Sequence, residues 1–405
     1  MFILYIGLVL ILGYFLSLIS EKLGFPKIVG YLITGIILNP SLTDLIPNDF
    51  LEVSDIVTKF CLAFITFEIG SSFSISNLKE TGKKYFSLAF FESFGAFLFL
   101  FIFFFIISNN FLFSSYGITT SVAFSLILAS LGAPTDPSAT LAVIHEYKAK
   151  GPVTSAILGA AAFDDIITLI LFSFSISIAH SILGAENIST ITIIGSIFYK
   201  ILGAVLSGTI MGLIFNKITN LLKIIDNKSL LIIFLAFLTL TYGLSNLAGF
   251  DELFSTLTLG FIIRNYNKSE EKVINITENG LEDLIFLLFF VFSAMHFSFK
   301  SENVLLLLLM LVFILLRMLG KYSGMHIGTS ILVMPKKVKK YAFAGLIPQG
   351  GIVLGLSLMI SQEKLFANFS NLLAGIIMGA TIIHEFSGPF IARLVLKKSG
   401  ELHDK

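Results

Sequence analysis

The chain is short of charge. Asp, Glu, Lys and Arg make up 13% of its 405 residues, against about a quarter in a soluble globular domain. That shortage excludes a soluble domain and a disordered chain. The charges present nearly cancel, 27 basic against 26 acidic, so no global field steers a polyanion to the surface and nucleic acid is excluded as a partner. One cysteine, Cys61, rules out an intramolecular disulfide and any cysteine-ligated zinc or iron–sulfur centre; it reads as an apolar packing residue. The first 20 residues have neither a basic n-region nor an A-x-A-like cleavage site, so they read as a membrane span and not as a signal peptide. What is abundant is apolar: 56% of residues are hydrophobic, 43 of them Phe, with a mean hydropathy of +0.93. The composition is that of an integral polytopic membrane protein.

A helix needs about 20 mostly apolar residues to cross the hydrocarbon core. Thirteen runs qualify, at about 2–20, 24–38, 54–75, 86–107, 118–145, 152–180, 190–215, 229–247, 251–264, 281–298, 303–332, 341–360 and 370–396. Charge placement tests this count, because cytoplasmic loops collect Lys and Arg. With the N-terminus outside and the C-terminus inside, 21 of the 27 basic residues fall on the cytoplasmic side and only Lys300 and Lys364 fall outside. Removing any one span scrambles the alternation. The longest extramembrane stretches are 39–53 and 265–280, so no soluble regulatory domain is expected, and residues 1–405 read as one integral membrane transporter domain.

Thirteen spans divide as six, one and six, which gives two repeats of opposite topology. The expected bounds are about 1–182 and 229–396, joined by a linker helix at about 190–215. The third helix of each half carries a related pattern, Phe64-Ile-Thr-Phe67 and Phe289-Phe-Val-Phe292. More telling, the fifth helix of each half holds its helix-breaking run: Gly132-Ala-Pro-Thr-Asp-Pro137 in one, Ile347-Pro-Gln-Gly-Gly351 in the other. Interrupted segments at corresponding positions point to a binding site at the membrane midplane. The expected crossing of the two broken helices involves Thr135, Asp136, Pro348, Gln349 and Gly350. Proline frees backbone carbonyls that must then be satisfied or line a cavity, and Asp136 is placed to compensate the helix dipoles that meet there.

An ionisable group inside a bilayer costs about 2.5–3.5 kcal/mol on insertion scales, so each needs a reason. Asp164 and Asp165 lie in mid-span, and adjacent helical positions point about 100° apart. One carboxylate can face a cavity while the other faces a neighbouring helix. Two carboxylates in one low-dielectric site share protons and titrate as a coupled pair, and their oxygens suit a hard cation. Lys321 lies near the centre of the eleventh span and Arg317 one turn earlier; either serves as the charge partner of the pair, with snorkelling to an interface an equal reading for Arg317. Glu68 and Glu92 are expected either to line a water-filled funnel or to make structural hydrogen bonds. His145, His296 and His384 read as ordinary.

Together these residues resemble the monovalent cation:proton antiporter superfamily, in particular its second bacterial subfamily. Leu23-Gly-Phe-Pro-Lys-Ile-Val-Gly-Tyr-Leu-Ile-Thr-Gly-Ile-Ile-Leu-Asn-Pro40 is similar to its opening signature, and Ala133-Pro-Thr-Asp-Pro137 followed by Asp164-Asp165 is similar to its unwound helix and ion-binding aspartates. Gly320-Lys321 matches its membrane-embedded basic residue, and Gly345-Leu-Ile-Pro-Gln-Gly-Gly351 its second broken helix. The resemblance implies the sodium/proton antiporter fold, all α-helical, and a secondary antiporter, not an enzyme. It implies Asp165 as the main carboxylate for Na+ and protons, with Asp164 as its companion, pairing with Lys321 in one state. An adjacent acidic pair is the pattern of electrogenic members; Asn or Gln at the first position marks electroneutral and potassium-efflux relatives. No cofactor beyond the transported Na+ and H+ is implied. A homodimer in a bacterial-type inner membrane is. A K+/H+ antiporter or K+ efflux system of the same fold is the alternative, and an intramembrane aspartyl protease is disfavoured because Asp164 follows Ala-Ala-Phe and not Gly-x-Gly.

Overall fold

The computed structural model describes residues 2–402 other than 24, 26, 41, 44, 48, 73–74, 76–81, 137–139, 141–142, 145–146, 185–189, 222–225, 268–269, 296–303 and 350–351. Among the described residues the secondary structure is helical, with no strand. Each of the thirteen apolar runs holds a helix. In the first half these are α1 (Phe2–Lys22), α2 (Lys27–Ile37), α3 (Asp49–Ser71), α4 (Lys83–Ile107), α5 (Ile118–Leu131) and α6 (Pro152–Leu183), followed by α7 (Thr190–Leu221). The second half brings α8 (Asn227–Leu247), α9 (Glu252–Tyr266), the polar α10 (Glu270–Gly280), α11 (Glu282–Met295), α12 (Val304–Ile331), α13 (Lys336–Tyr341), α14 (Ile352–Gln362) and α15 (Ser370–Ser399).

Six of these, α1, α4, α6, α7, α8 and α12, are individually long and apolar enough to span a bilayer. The two arms of α15, bent by 45° around Pro389, make a seventh when taken together. The protein is a multi-pass membrane protein. Helices α2, α5 and α14 are short apolar segments of 11, 14 and 11 residues. For α5 the reason is local. Pro134 has no N–H and disfavours helical backbone at Ala133, so the run expected to continue to 145 breaks after Leu131 and is irregular through Asp136, with helical backbone again at Thr140. In the second half a 3-10 turn at Ala342–Leu346 gives way to irregular backbone at 347–349 before α14 begins.

Packing between the halves is reciprocal. α2 packs on α11 and α3 on α9, so the second run of each half meets the third run of the other, while the fourth runs, α4 and α12, meet each other. Phe64, Phe67, Phe289 and Phe292 are all buried. Sheltered this way from lipid, these rings fill the space between α3, α8 and α11, with Phe67 and Phe234 4.6 Å apart at their centroids. In lipid, helices approach closely where small residues line the contact. That is how α4 and α12 meet: a Cβ at Gly324 would lie 2.1 Å from the Phe91 carbonyl oxygen, and one at Gly320 2.6 Å from the Ala96 Cα. The contact fixes the register of the two helices and sets Glu92 opposite Lys321, each one residue from a contact position.

The N-terminal end of α6 is tied by Glu401. The Glu401 carboxylate accepts hydrogen bonds from the Val153 and Thr154 amides, each 2.8 Å, and from the Thr154 hydroxyl, 2.8 Å. A carboxylate there satisfies orphan N–H groups and complements the positive end of the helix dipole.

Gly324→Ala is expected to destabilise the protein by about 1–3 kcal/mol, the usual cost of forcing extra volume into a packed contact. Gly243→Ala, where a Cβ meets nothing within 4 Å, is the matched control. Thermal unfolding in detergent compares the two, and equal midpoints would refute the close-approach argument.

Candidate functional site

The two breaks cross. The Asp136 amide on the first donates to the Pro348 carbonyl on the second, 3.0 Å. Leaving a helix exposes carbonyls with no helical donor, and in a membrane interior each must find another. On the first break, Leu131 O accepts from Gln349 Nε2 at 2.8 Å, while Gly132 O and Pro134 O accept from Arg317 Nε and Nη2 at 2.8 and 2.6 Å. On the second, Gly345 O accepts from the Thr140 hydroxyl at 2.9 Å, and Ile347 O accepts from Arg317 Nη1. The Thr135 hydroxyl lies 3.1 Å from Leu346 O. Arg317 is fully buried, and its guanidinium binds both breaks at once. Neither snorkelling nor an ion pair is what occupies this side chain: its three hydrogen bonds all go to backbone carbonyls.

Lys321, one turn further along α12, faces the acids. Its ammonium is bonded to Glu92 Oε1, donates to Thr135 Oγ1 at 2.8 Å and lies 3.8 Å from Asp164 Oδ2. Glu92 and Lys321 are both fully buried. The glycine contact between α4 and α12 closes around the Glu92 carboxylate, which is the ion-pair partner of Lys321. Glu68, on α3, is partly buried.

The two aspartates differ. Asp164 is fully buried and fully engaged, with Ser93 Oγ donating to its Oδ1 at 2.7 Å and Thr135 Oγ1 donating to its Oδ2 at 2.6 Å. Asp165 is partly exposed and, among the described residues, makes no side-chain hydrogen bond or ion pair. It feels the charges of Asp164, Asp136 and Lys321 but is bonded to none of them. Asp136 itself is buried, 9% exposed, at the crossing. Gly350 and Pro137 lie outside the described residues.

Sequence reasoning missed four residues, Thr140 at the crossing among them. Ser93 was signalled only by its place beside Glu92 in a Phe-rich span. His384, read as ordinary, is buried and its Nδ1 lies 3.0 Å from Gln349 Oε1, which orients the amide that caps α5. Glu385, beside it, is fully buried as well. His145 and His296 lie outside the described residues.

Two interrupted helices crossing in mid-membrane, their carbonyls held by an arginine, next to a carboxylate pair and a buried lysine, define a cation-coupled secondary transporter. The comparisons make this particular. The chain belongs to the sodium/hydrogen exchanger family, whose transmembrane region matches residues 7–394. It is 26% identical to a Na+/H+ antiporter of Enterococcus hirae over 94% of this chain and 93% of that one. It is 23% identical to a Bacillus cereus protein named probable Na+/H+ antiporter GerT, over 84% of this chain and 87% of that one. The fold matches that of the sodium proton antiporter MjNhaP1 from Methanocaldococcus jannaschii with a TM-score of 0.74, covering 98% of both chains at 20% identity.

Arg317→Lys is expected to behave like a deletion. A point-charge ammonium cannot reproduce the planar fork that reaches three carbonyls, and each buried acceptor left bare costs about 1–3 kcal/mol. The folded fraction recovered on size exclusion in detergent should collapse for Arg317→Lys but fall only modestly for Gln349→Leu, which bares one carbonyl. A well-folded Arg317→Lys protein would show that the breaks do not need the fork.

Proposed function

We propose that this protein is a secondary active antiporter that exchanges cytoplasmic Na+ for external protons, with Asp165 as the carboxylate for which the two compete. The observation that carries this reading is the asymmetry of the pair: Asp164 is saturated by Ser93 and Thr135, whereas Asp165 has no partner among the described residues and is partly exposed. A carboxylate with no partner of its own, on the helix that brings Asp164 to the crossing, offers a hard cation an oxygen donor. The family and the names of the E. hirae and B. cereus relatives support the choice of cation.

In this reading Na+ reaches Asp165 and displaces its proton, and the added charge loosens the Lys321–Asp164 approach. Rearrangement presents the site to the other side, where protons displace Na+. With the acidic pair intact, two protons exchange for one Na+, so one net charge moves per cycle. That is worth about 2.3 kcal/mol per 100 mV, and an inside-negative potential drives Na+ out. The mechanism rests on two inverted repeats, about 1–182 and 229–396, around a linker at about 190–215. The protein works as a homodimer in a bacterial-type plasma membrane, N-terminus outside and C-terminus in the cytoplasm; the distribution of basic residues supports that orientation.

Proteoliposomes carrying Asp165→Asn should show no Na+-dependent proton movement above protein-free vesicles, and Lys321→Gln should retain binding with a shifted pH profile. In wild-type vesicles an imposed inside-negative potential should accelerate Na+ extrusion. Undiminished exchange by Asp165→Asn removes the site assignment, and indifference to potential removes the two-for-one ratio.

A further inference from the structure

Glu385 lies on α15 away from the network around Lys321. It is fully buried, and among the described residues neither carboxylate oxygen has a hydrogen-bond partner. The side chain borders a cavity of about 30 Å³ between α15 and α2, otherwise lined by Val29, Leu32, Ile33 and Ile36 of α2 and by Ile382 and Phe386 of α15. Such a space holds one water, but its walls give that water a single polar partner. An ionised carboxylate here would be a bare charge in an apolar chamber, an arrangement costly enough that the group neutralises instead. Among charged neighbours, Asp136 at the crossing acts on Glu385, and its negative charge opposes a second one. The cations of α12, Arg317 and Lys321, act on the adjacent His384. The one cation of α2, Lys27, is turned to Asp283, 3.2 Å away.

The place of the cavity matters as much as its lining. α2 packs on α1 and α11, whereas α15 packs on α12 and α14, and the two helices meet only lightly. Phe25, just before α2, closes the seam against Phe386 and Phe390, with ring centroids 4.8 and 6.4 Å apart. α15 bends by 45° around Pro389, which has no N–H to give the Glu385 carbonyl one turn earlier. The carboxyl group thus sits where the helix is weakest, facing a contact made of side chains alone.

We propose that Glu385 is a second proton-carrying site, separate from the Asp164–Asp165 pocket: protonated while α2 and α15 are closed on each other, and exchanging its proton when the seam parts. The step is a simple one. On opening, the carboxyl O–H proton passes to entering water and leaves a hydrated carboxylate; before closure the carboxylate takes a proton back from water. This inference builds on the antiport reading, because the seam parts in the rearrangement that carries the exchange; the proton given up and regained makes that rearrangement pH-dependent and adds nothing to the protons counted per cycle.

Glu385→Gln tests it, since the amide keeps the size and neutrality of the acid and removes only the exchangeable proton. Infrared spectra of the purified full-length protein should show a protonated-carboxyl band that is lost in Glu385→Gln and kept in Asp165→Asn. Exchange by wild-type proteoliposomes should slow as the pH rises, because closure needs the acid reprotonated, and Glu385→Gln should lose that slowing, with protons per cation unchanged and the cation dependence unchanged within about twofold. A band that survives in Glu385→Gln, or a band that is lost with the pH profile unaltered, overturns the proposal. If wild-type vesicles exchange no Na+ for protons, the antiport reading fails instead, and the infrared comparison still decides whether Glu385 holds a proton. Glu385→Leu, which fills the chamber, should lose the same band and guards against a folding artefact specific to the amide.

Discussion

The structure depends on a supply of hydrogen-bond donors to backbone carbonyls that two helices leave bare inside the membrane. Water is not there to solvate them. Arg317 answers the largest share of the demand, because one delocalised cation on a planar fork reaches Gly132, Pro134 and Ile347 together. Gln349 and Thr140 reach across from each break to the other, and the Asp136 amide completes the set at Pro348. The crossing is thereby held mainly by its own residues and by one side chain of α12. A buried charge is ordinarily a liability; here its desolvation is offset by carbonyl oxygens that would be costlier still without it.

That division of labour leaves Lys321 available. Had α12 brought one cation, it would have had to serve both the carbonyls and the carboxylates. With two, one turn apart, the first is structural and the second is electrostatic. The Lys321 ammonium shares itself among Glu92, Thr135 and Asp164, and the Thr135 hydroxyl accepts from the lysine while donating to the aspartate. A buried ion pair in good geometry sits near balance between Coulomb gain and desolvation cost. Near balance is what an exchanger needs: an arriving cation then redistributes charge among several carboxylates without first breaking a deeply stable pair.

Much of this was legible in the sequence. The hydrophobic runs, the proline and glycine breaks at matching positions and the adjacent aspartates are local features, readable from span length and residue type. What could not be read was the choice of partner. Arg317 and Lys321 are four residues apart, so they share a helix face and local pattern cannot say which one meets the acids. The answer lies in how far along α12 the crossing falls. Glu92 was equally opaque, because its burial follows from the approach of α4 to α12 at Gly320 and Gly324, more than two hundred residues away in the chain. His384 and Glu385 were visible as polar letters in the last span. Their importance rests on Gln349 and on α2, neither of them near in sequence.

The hydrogen bonds also say where this molecule can and cannot move. α4, α6, α12 and both breaks are joined through Ser93, Asp164, Thr135, Lys321 and Arg317. Any motion dividing that set leaves buried polar atoms unpaired, at about 1–3 kcal/mol for each. The contact of α2 with α15 is of another kind: aliphatic and aromatic side chains around a small cavity, with Glu385 the only polar group at its wall among the described residues. Sliding there exchanges one set of dispersion contacts for another and breaks no hydrogen bond among the described residues. A carboxyl group standing on that surface changes its surroundings more than any group inside the bonded network when the helices shift. A group whose solvation changes with conformation couples proton binding to that change, whichever way the helices slide.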